Sequence, residues 1–266
     1  MKMGALIPIR LASERLPNKA LMDINGRKAI EHLLDRAFAS KYLEPSNVII
    51  CTTTKSSDDP LVNLVTQRGA NIFRGSETDI IDRFWCATRE FGFDAFIQID
   101  GDDICADTYY MDLCMKTLCE NEEYDIVYCE GLPLGLGTKA IKTSALERVW
   151  KHHITDENDT GFIYYFTKTD LCNKKSIGPQ KPNHINEKVR LTLDYEEDLQ
   201  FFRALFANLY NPTRIFGIED ITNLLNEKPE LMNINIGLSE EYWARTKEKA
   251  VIEYKTDSGL IKKIEV

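Results

Sequence analysis

Residues 4–20 read GALIPIRLASERLPNKA, an apolar run followed at once by a turn-rich segment that carries three cations. The apolar part, residues 5–9, has the composition of a buried β-strand and predicts the first strand of a sheet. Arg10, Arg15 and Lys19 come directly after it. An ordinary surface loop is one interpretation of this segment. The other is a binding site for a polyanion, because the spacing gathers three positive charges beside one strand end.

The stretch opens an alternation of short apolar runs with segments of helical periodicity. This alternation is typical of a parallel sheet with helices packed on both faces. We therefore predict an α/β fold of Rossmann-like type, with a mostly parallel sheet covered by helices on both faces. The predicted strands are residues 5–9, 47–53, 70–73, 95–99, 124–129 and 189–193, and the predicted helices are residues 29–40, 60–68, 79–91, 108–119, 196–209, 218–225 and 227–232.

The middle of the chain departs from this alternation. Residues 131–137 (GLPLGLG) favour a turn, and residues 167–187 are polar without clear periodicity. We interpret residues 1–266 as one domain with a less regular excursion at about 131–188, which would form a small projecting subdomain.

Composition limits the classes of protein that this chain can belong to. Its 33 basic and 42 acidic residues give a net charge of −9, which argues against a general nucleic-acid-binding protein. The sequence contains no apolar run of about 18 residues, so we expect no membrane partner. It has no secretory signal pattern at its start, and we expect a cytoplasmic location. Seven cysteines without a C-x-x-C pair are interpreted as buried thiols.

The position of the cationic segment indicates what it binds. Ligands of open α/β sheets bind beyond the carboxyl ends of the strands, where residues 10–19 lie. A nucleoside triphosphate carries about four negative charges, which Arg and Lys side chains bind well. The segment has neither a P-loop nor a dinucleotide fingerprint.

Several segments of the chain carry a further pattern, namely IPIRLASERLPNKAL, DINGRKAIEHLLDRA, RGSETDIIDRF, IQIDGDDICAD, RLTLDYEEDL and PELMNIN. In this order they resemble motifs of the sugar-acid cytidylyltransferases. That family includes Kdo cytidylyltransferases and relatives in spore-coat polysaccharide and pseudaminic or legionaminic acid pathways. The first two segments depart from the family's signature only at Ile9 and at Lys28-Ala29. The resemblance covers nearly the whole chain, most loosely between about residues 130 and 188, and implies a nucleotide-diphospho-sugar transferase-like fold.

The resemblance also implies roles for individual residues. It assigns triphosphate binding to the cationic loop. It also implies that the loops after the second and third strands lie beside the base and ribose of the nucleotide. The implied nucleotide-binding residues are Arg10, Ser13, Arg15, Lys19, Thr52, Thr53, Arg74, Gly75, Ser76 and Asp100, and the implied catalytic residues are Arg10, Lys19, Asp102 and Asp194.

Two carboxylates suggest a metal site. Asp102 follows one buried strand and Asp194 ends another predicted strand. Mg²⁺ prefers one or two protein carboxylates together with substrate phosphates and water, and nucleotidyl transfer needs such a cation. By resemblance, Asp102 and Asp194 are the expected Mg²⁺ ligands. The alternative for Asp194 is that it caps the following helix.

The expected reaction is transfer of CMP from CTP to a small anionic acceptor, with release of pyrophosphate. The acceptor stays open, because DENDTGFIYYF (156–166) departs from the family's R-E-H-V-T-P-Y pattern. A sugar acid is favoured, and a small phosphate or phosphonate is the alternative. Two other classes remain, a glycosyltransferase that binds metal through Asp100-x-Asp102 and a non-catalytic nucleotide-binding module. We expect no nucleic-acid partner, and a homodimer is one expected assembly.

Overall fold

The centre of the molecule is a seven-stranded, mostly parallel β-sheet, seen in a computed structural model that describes residues 1–155, 157–186 and 188–265. The strands are β1 (Met3–Pro8), β2 (Asp23–Ile24), β3 (Arg27–Lys28), β4 (Val48–Thr53), β5 (Asn71–Gly75), β6 (Ala95–Gln98), β7 (Ile126–Cys129), β8 (Lys139–Lys142), β9 (Lys174–Ile177), β10 (Val251–Lys255) and β11 (Ile261–Glu265). The central sheet has the order β5-β4-β1-β6-β8-β7-β9, in which β8 alone runs antiparallel to its neighbours.

Helices cover both faces of this sheet. The α-helices are α1 (Ala29–Phe38), α2 (Asp59–Gln67), α3 (Ile80–Phe91), α4 (Thr108–Glu120), α5 (Thr143–His152), α6 (Tyr164–Thr167), α7 (Glu196–Leu209), α8 (Ile218–Glu227) and α9 (Leu238–Lys249). None of the helices in the described part of the chain is long and apolar enough to cross a membrane.

The two faces follow from the alternation of side chains along the strands. In β1, Ala5 and Ile7 pack into a core formed with α1, α2, α4, α7 and α8, whereas Leu6 packs into a second core with α3, α5 and α6. Because both faces are buried, β1 reads as a continuous apolar run. The predicted fold class is confirmed, as are the predicted strands that became β1, β4, β5, β6 and β7.

The expectation of an irregular excursion at residues 131–188 is wrong for three elements. This segment contains β8 and β9, which are strands of the central sheet, and α5, which packs on α3. The sequence pattern did not predict β8 and β9 because both strands are short and contain charged residues. β8 buries only Ala140 and Ile141 between lysines, and β9 is an edge strand whose first three residues are exposed.

The predicted strand at residues 189–193 is also absent from the described structure. This segment makes one isolated bridge to Leu134, and the Leu193 amide donates to the Asp102 carbonyl oxygen at 3.0 Å. Its alternating apolar residues are buried in the same core as Ala5 and Ile7, but the segment is not a strand of the central sheet. The segment thereby carries Asp194 to the loop that follows β6. The predicted helix at 227–232 is a 3-10 helix (Pro229–Ile234).

Gly135 makes this close approach feasible. It has a φ of +91°, and a Cβ atom there would lie 2.1 Å from the carbonyl oxygen of Leu191. No side chain fits so close to a backbone atom, and few residues other than glycine adopt this backbone conformation.

We predict that Gly135→Ala lowers the free energy of unfolding by about 3 kcal/mol or more, because strain and the clash add. Denaturant titration measures this change. The matched control is Gly178→Ala, where no heavy atom lies within 4 Å and φ is outside the left-handed region. The control should stay within about 0.5 kcal/mol of the parent. Equal stability of both variants would contradict the packing described for residues 189–193.

Candidate functional site

A polar cavity lies at the carboxyl ends of the neighbouring parallel strands β1 and β6. The loops that follow these strands form two of its walls and touch at Gly101, where a Cβ atom would lie 2.6 Å from the Pro8 carbonyl oxygen. Four of the predicted nucleotide-binding residues in the first loop line it, as do three predicted aspartates. These residues are Arg10, Ser13, Arg15, Lys19, Asp100, Asp102 and Asp194.

Lys19 lies at the centre of this charged group. Its Nζ donates to Asp102 Oδ2 at 2.7 Å and to Asp194 Oδ1 at 2.9 Å. Burial opposes the charge of the ammonium group, but the two carboxylates outweigh it and raise the pKa of Lys19 to about 12. One cation therefore joins two carboxylates that are 92 residues apart in the chain.

Asp194 has several cationic partners and is almost inaccessible to solvent. Oδ1 also accepts from Arg15 at 2.5 Å, and Oδ2 accepts from the buried Arg190 at 2.9 Å. Burial alone would raise the pKa of Asp194, but Lys19 and Arg15 lower it to about 2. The helix-cap alternative is wrong, because Tyr195 is the cap residue of α7 and the Asp194 carboxylate bonds to cations instead.

Asp102 is in a different electrostatic position. Burial raises its pKa, and although Lys19 opposes this effect, Asp194 and Asp100 reinforce it. The neighbouring carboxyl of Asp103 also has a raised pKa, first because of burial and then because of Asp102. Ionised Asp102 is therefore held in place by Lys19 against the repulsion of other carboxylates.

The donor set at this point fits a divalent cation that substrate phosphates help to hold. Among the described residues, no group of three or more His, Cys, Asp and Glu side chains is arranged to bind a metal without help. Two carboxylates nevertheless meet at Lys19, where an oxygen atom of Asp102 and one of Asp194 each lie within 3 Å of Nζ. Mg²⁺ commonly takes one or two carboxylates plus phosphate and water oxygens, so Asp102 and Asp194 match its preference.

Asp100 lines the same cavity, but its carboxylate is directed elsewhere. Oδ2 pairs with Lys139 at 2.7 Å and Oδ1 accepts from Gln98 at 2.8 Å. Asp100 and Asp102 therefore have separate partners, which gives no support to a shared D-x-D metal site.

Thr52 and Thr53 do not line the cavity in the described structure. Their hydroxyl groups donate to Oδ2 of the buried Asp58, at 3.0 and 2.5 Å, while Asp58 Oδ1 accepts from the Leu11 amide at 2.8 Å. These threonines thus hold the start of the cationic loop through Asp58. The predicted contact of Thr52 and Thr53 with the base stays a prediction.

Arg74, Gly75 and Ser76 are likewise outside the set of described residues that line the cavity. Arg74 donates to the Thr53 carbonyl oxygen at 2.8 Å and pairs with Asp59, and Ser76 Oγ accepts from the Asp79 amide at 3.1 Å. They shape the chain before α3.

Sequence reasoning missed one whole side of the cavity. Residues 159–162 contribute Asp159, which pairs with Arg10, and α9 contributes Arg245 and Lys249. Asn158 fixes this segment by accepting from the Ile80 amide at 2.8 Å. The four-residue spacing of the α9 cations was the available signal, but α9 itself was not predicted.

Comparison with known proteins identifies relatives along almost the entire chain. A family model described as cytidylyltransferase matches residues 4–254. An uncharacterized protein of Methanocaldococcus jannaschii is 31% identical over 93% of this chain and 100% of its own length. The spore coat polysaccharide biosynthesis protein SpsF of Bacillus subtilis is 25% identical over 85% and 94%. A solved cytidylyltransferase structure from Leptospira borgpetersenii matches the fold with a TM-score of 0.79, at 22% identity, over 87% and 97%.

We predict different stability effects for the two carboxylates that share Lys19. Asp194→Asn should lower the free energy of unfolding by about 3 kcal/mol at pH 7, because it leaves buried Arg190 short of an anionic partner. Asp102→Asn should leave it unchanged or raise it, because a carboxyl with a raised pKa is ionised at a cost to the folded state. Denaturant titration of both variants and the parent tests this contrast.

The pH dependence of the Asp194 effect has a defined sign. Because the folded-state pKa is lowered, its stabilising contribution is present above the ordinary value of 3.8 and is lost as the pH falls towards about 2. The difference between the parent and Asp194→Asn should therefore shrink over that interval. A difference that grows on acidification would contradict the ion pairs described here.

Proposed function

This chain belongs to the cytidylyltransferase family, and from that premise we propose that it transfers CMP from CTP to a small anionic acceptor and releases pyrophosphate. Membership makes it a nucleotidyltransferase, which argues against the glycosyltransferase alternative. The observation that carries the proposal is the Lys19 ammonium group, shared by Asp102 and Asp194 at the carboxyl ends of the sheet. A sugar acid of cell-surface polysaccharide biosynthesis is the favoured acceptor.

The loop cations supply the binding of the triphosphate. Arg10, Arg15 and Lys19 all line the cavity, and each now pairs with a carboxylate. Phosphate oxygens offer the same cations several acceptors at once, with the charge-assisted geometry that Arg and Lys favour. On binding, we expect the guanidinium and ammonium groups to pass from the carboxylates to the phosphates.

This exchange leaves Asp102 and Asp194 available for a cation. We propose that they hold Mg²⁺, which when bound would neutralise charge on the α-phosphate and on the leaving pyrophosphate. Arg190 keeps Asp194 oriented, because it also pairs with the buried Asp198 at 3.0 Å.

The transfer step requires no further catalytic residue in this proposal. An acceptor hydroxyl oxygen attacks the α-phosphorus and forms a new P–O bond. The bond between the α-phosphorus and the bridging oxygen breaks, pyrophosphate leaves with the electron pair, and the hydroxyl proton passes to water. The loop cations stabilise the charge of the leaving group, so positioning and electrostatic stabilisation carry the catalysis without a dedicated base.

A second cleft that shares Asp100 and Asp102 with the cavity suits the acceptor. Lys168, Tyr164 and Trp243 are among the residues that line it. Aromatic side chains can pack on the face of a sugar ring, and a lysine can pair with its carboxylate. The relation to a protein named for spore coat polysaccharide biosynthesis supports a sugar-derived acceptor.

We predict that the protein binds CTP with Mg²⁺ more tightly than UTP or ATP and releases pyrophosphate only when an acceptor is present. Calorimetry and a pyrophosphate assay over sugar acids, amino sugars, phosphates and phosphonates measure this. Lys19→Ala should weaken CTP binding by about tenfold or more, whereas Lys41→Ala, an exposed lysine outside the cavity, should not.

Measurements of turnover distinguish the proposed metal ligand Asp102 from its neighbour Asp103. Magnesium-dependent activity should fall by about 100-fold or more in Asp102→Asn and less in Asp103→Asn. Equal binding of all three nucleotides, or CTP binding without turnover over the whole acceptor panel, would contradict the proposal. The second result would favour a non-catalytic nucleotide-binding module.

A further inference from the structure

We infer that α9 provides a second set of phosphate ligands, Arg245 and Lys249, and that Glu14 holds these two cations beside the cationic loop until the nucleotide binds. This inference rests on the proposed function and extends it to a part of the chain that no motif assigned. It makes the triphosphate site two-sided, with the loop after β1 on one wall and α9 on the other.

The positions of the two side chains support this role. Arg245 and Lys249 are four residues apart on α9, which places them on the same face of the helix. Both line the cavity that Arg10, Arg15 and Lys19 also line. Both remain partly exposed, with 34% and 40% of their side-chain surface accessible, so a ligand can reach them.

Glu14 joins α9 to the loop. It stands between Ser13 and Arg15, pairs with Arg245, and accepts from Lys249 Nζ at 3.2 Å. Its side chain is 62% exposed, so these contacts are weak individually and readily exchanged. A phosphate group in the cavity would compete with Glu14 for both cations.

The charges of the cavity show why more cations are needed than the loop supplies. The described residues that line it include as many cationic as carboxylate side chains. They are Arg10, Arg15, Lys19, Arg83, Arg245 and Lys249 on one side, and Glu14, Glu77, Asp100, Asp102, Asp159 and Asp194 on the other. A triphosphate adds about four negative charges to this neutral set. Arg15 and Lys19 also neutralise the buried Asp194, whereas the pair on α9 faces only an exposed carboxylate among its salt-bridge partners in the described structure, Glu14.

The helix is anchored well enough to position such ligands. Tyr242, one turn before Arg245, lies with its ring 4.7 Å from the guanidinium carbon of Arg190 and 5.7 Å from that of Arg15. These cation–π contacts tie α9 to the two arginines that bind Asp194. The α9 cations are therefore fixed relative to the catalytic carboxylates.

The test compares single variants in CTP binding, with pyrophosphate as a second probe. Arg245→Gln and Lys249→Ala should each raise the Kd for CTP and for pyrophosphate by about tenfold, the effect of losing one charge-assisted contact. Lys247→Ala is the matched control, since this exposed lysine of the same helix does not line the cavity. It should bind both probes like the parent.

Glu14→Gln separates a ligand role from a structural one. If Arg245 and Lys249 bind phosphate, removing the competing carboxylate should leave CTP binding as tight as in the parent or tighter. If the pairs only hold α9 in place, Glu14→Gln should weaken CTP binding as Arg245→Gln does, and that result would overturn the inference. So would Arg245→Gln and Lys249→Ala variants that bind like Lys247→Ala. A parent protein that binds neither probe would overturn the proposed function and this inference together, whereas parent-like variants overturn the inference alone.

Discussion

Two ionised carboxylates repel each other, and the ammonium group of Lys19 offsets this repulsion at the centre of the site. Asp102 and Asp194 come from segments far apart in the chain, and Lys19 bonds to both. Three structural features make the meeting feasible. The neighbouring strands β1 and β6 bring their loops together, Gly101 lets these loops touch, and Gly135 lets residues 189–193 pass close by. The packing of the loops at the carboxyl ends of β1 and β6 therefore positions one ion-pair cluster.

The cluster also explains how an acidic protein could bind the highly charged nucleotide proposed here. Without a nucleotide, the cavity's cations are balanced in number by carboxylates. In the proposed function, phosphate oxygens would compete for the same cations, and the released carboxylates would become ligands suited to Mg²⁺. In our account the protein exchanges ion-pair partners instead of creating new charges. The buried Arg190 keeps Asp194 in position throughout this exchange.

The sequence predicted those parts of the site that local pattern determines. The cations directly follow the apolar run of β1, and the aspartates directly follow β6. Strand propensity and motif resemblance were therefore sufficient to predict these two loops. The hydrogen bonds from Thr52 and Thr53 to Asp58 could not be predicted, because this pairing is evident only in three dimensions. The strands β8 and β9 and the helix α9 were missed because their lysines and exposed positions obscure the apolar periodicity. Asp194 lines the cavity although its segment is not a strand.

The most direct test of this account is a crystal structure of the protein with CTP and Mg²⁺ in the absence of an acceptor. We predict that Lys19 Nζ and the Arg15 guanidinium group will bond to phosphate oxygens, that Arg190 will still bond to Asp194, and that Asp102 and Asp194 will face the metal. A complex in which Lys19 stays bonded to both carboxylates while the phosphates bind elsewhere would contradict the account.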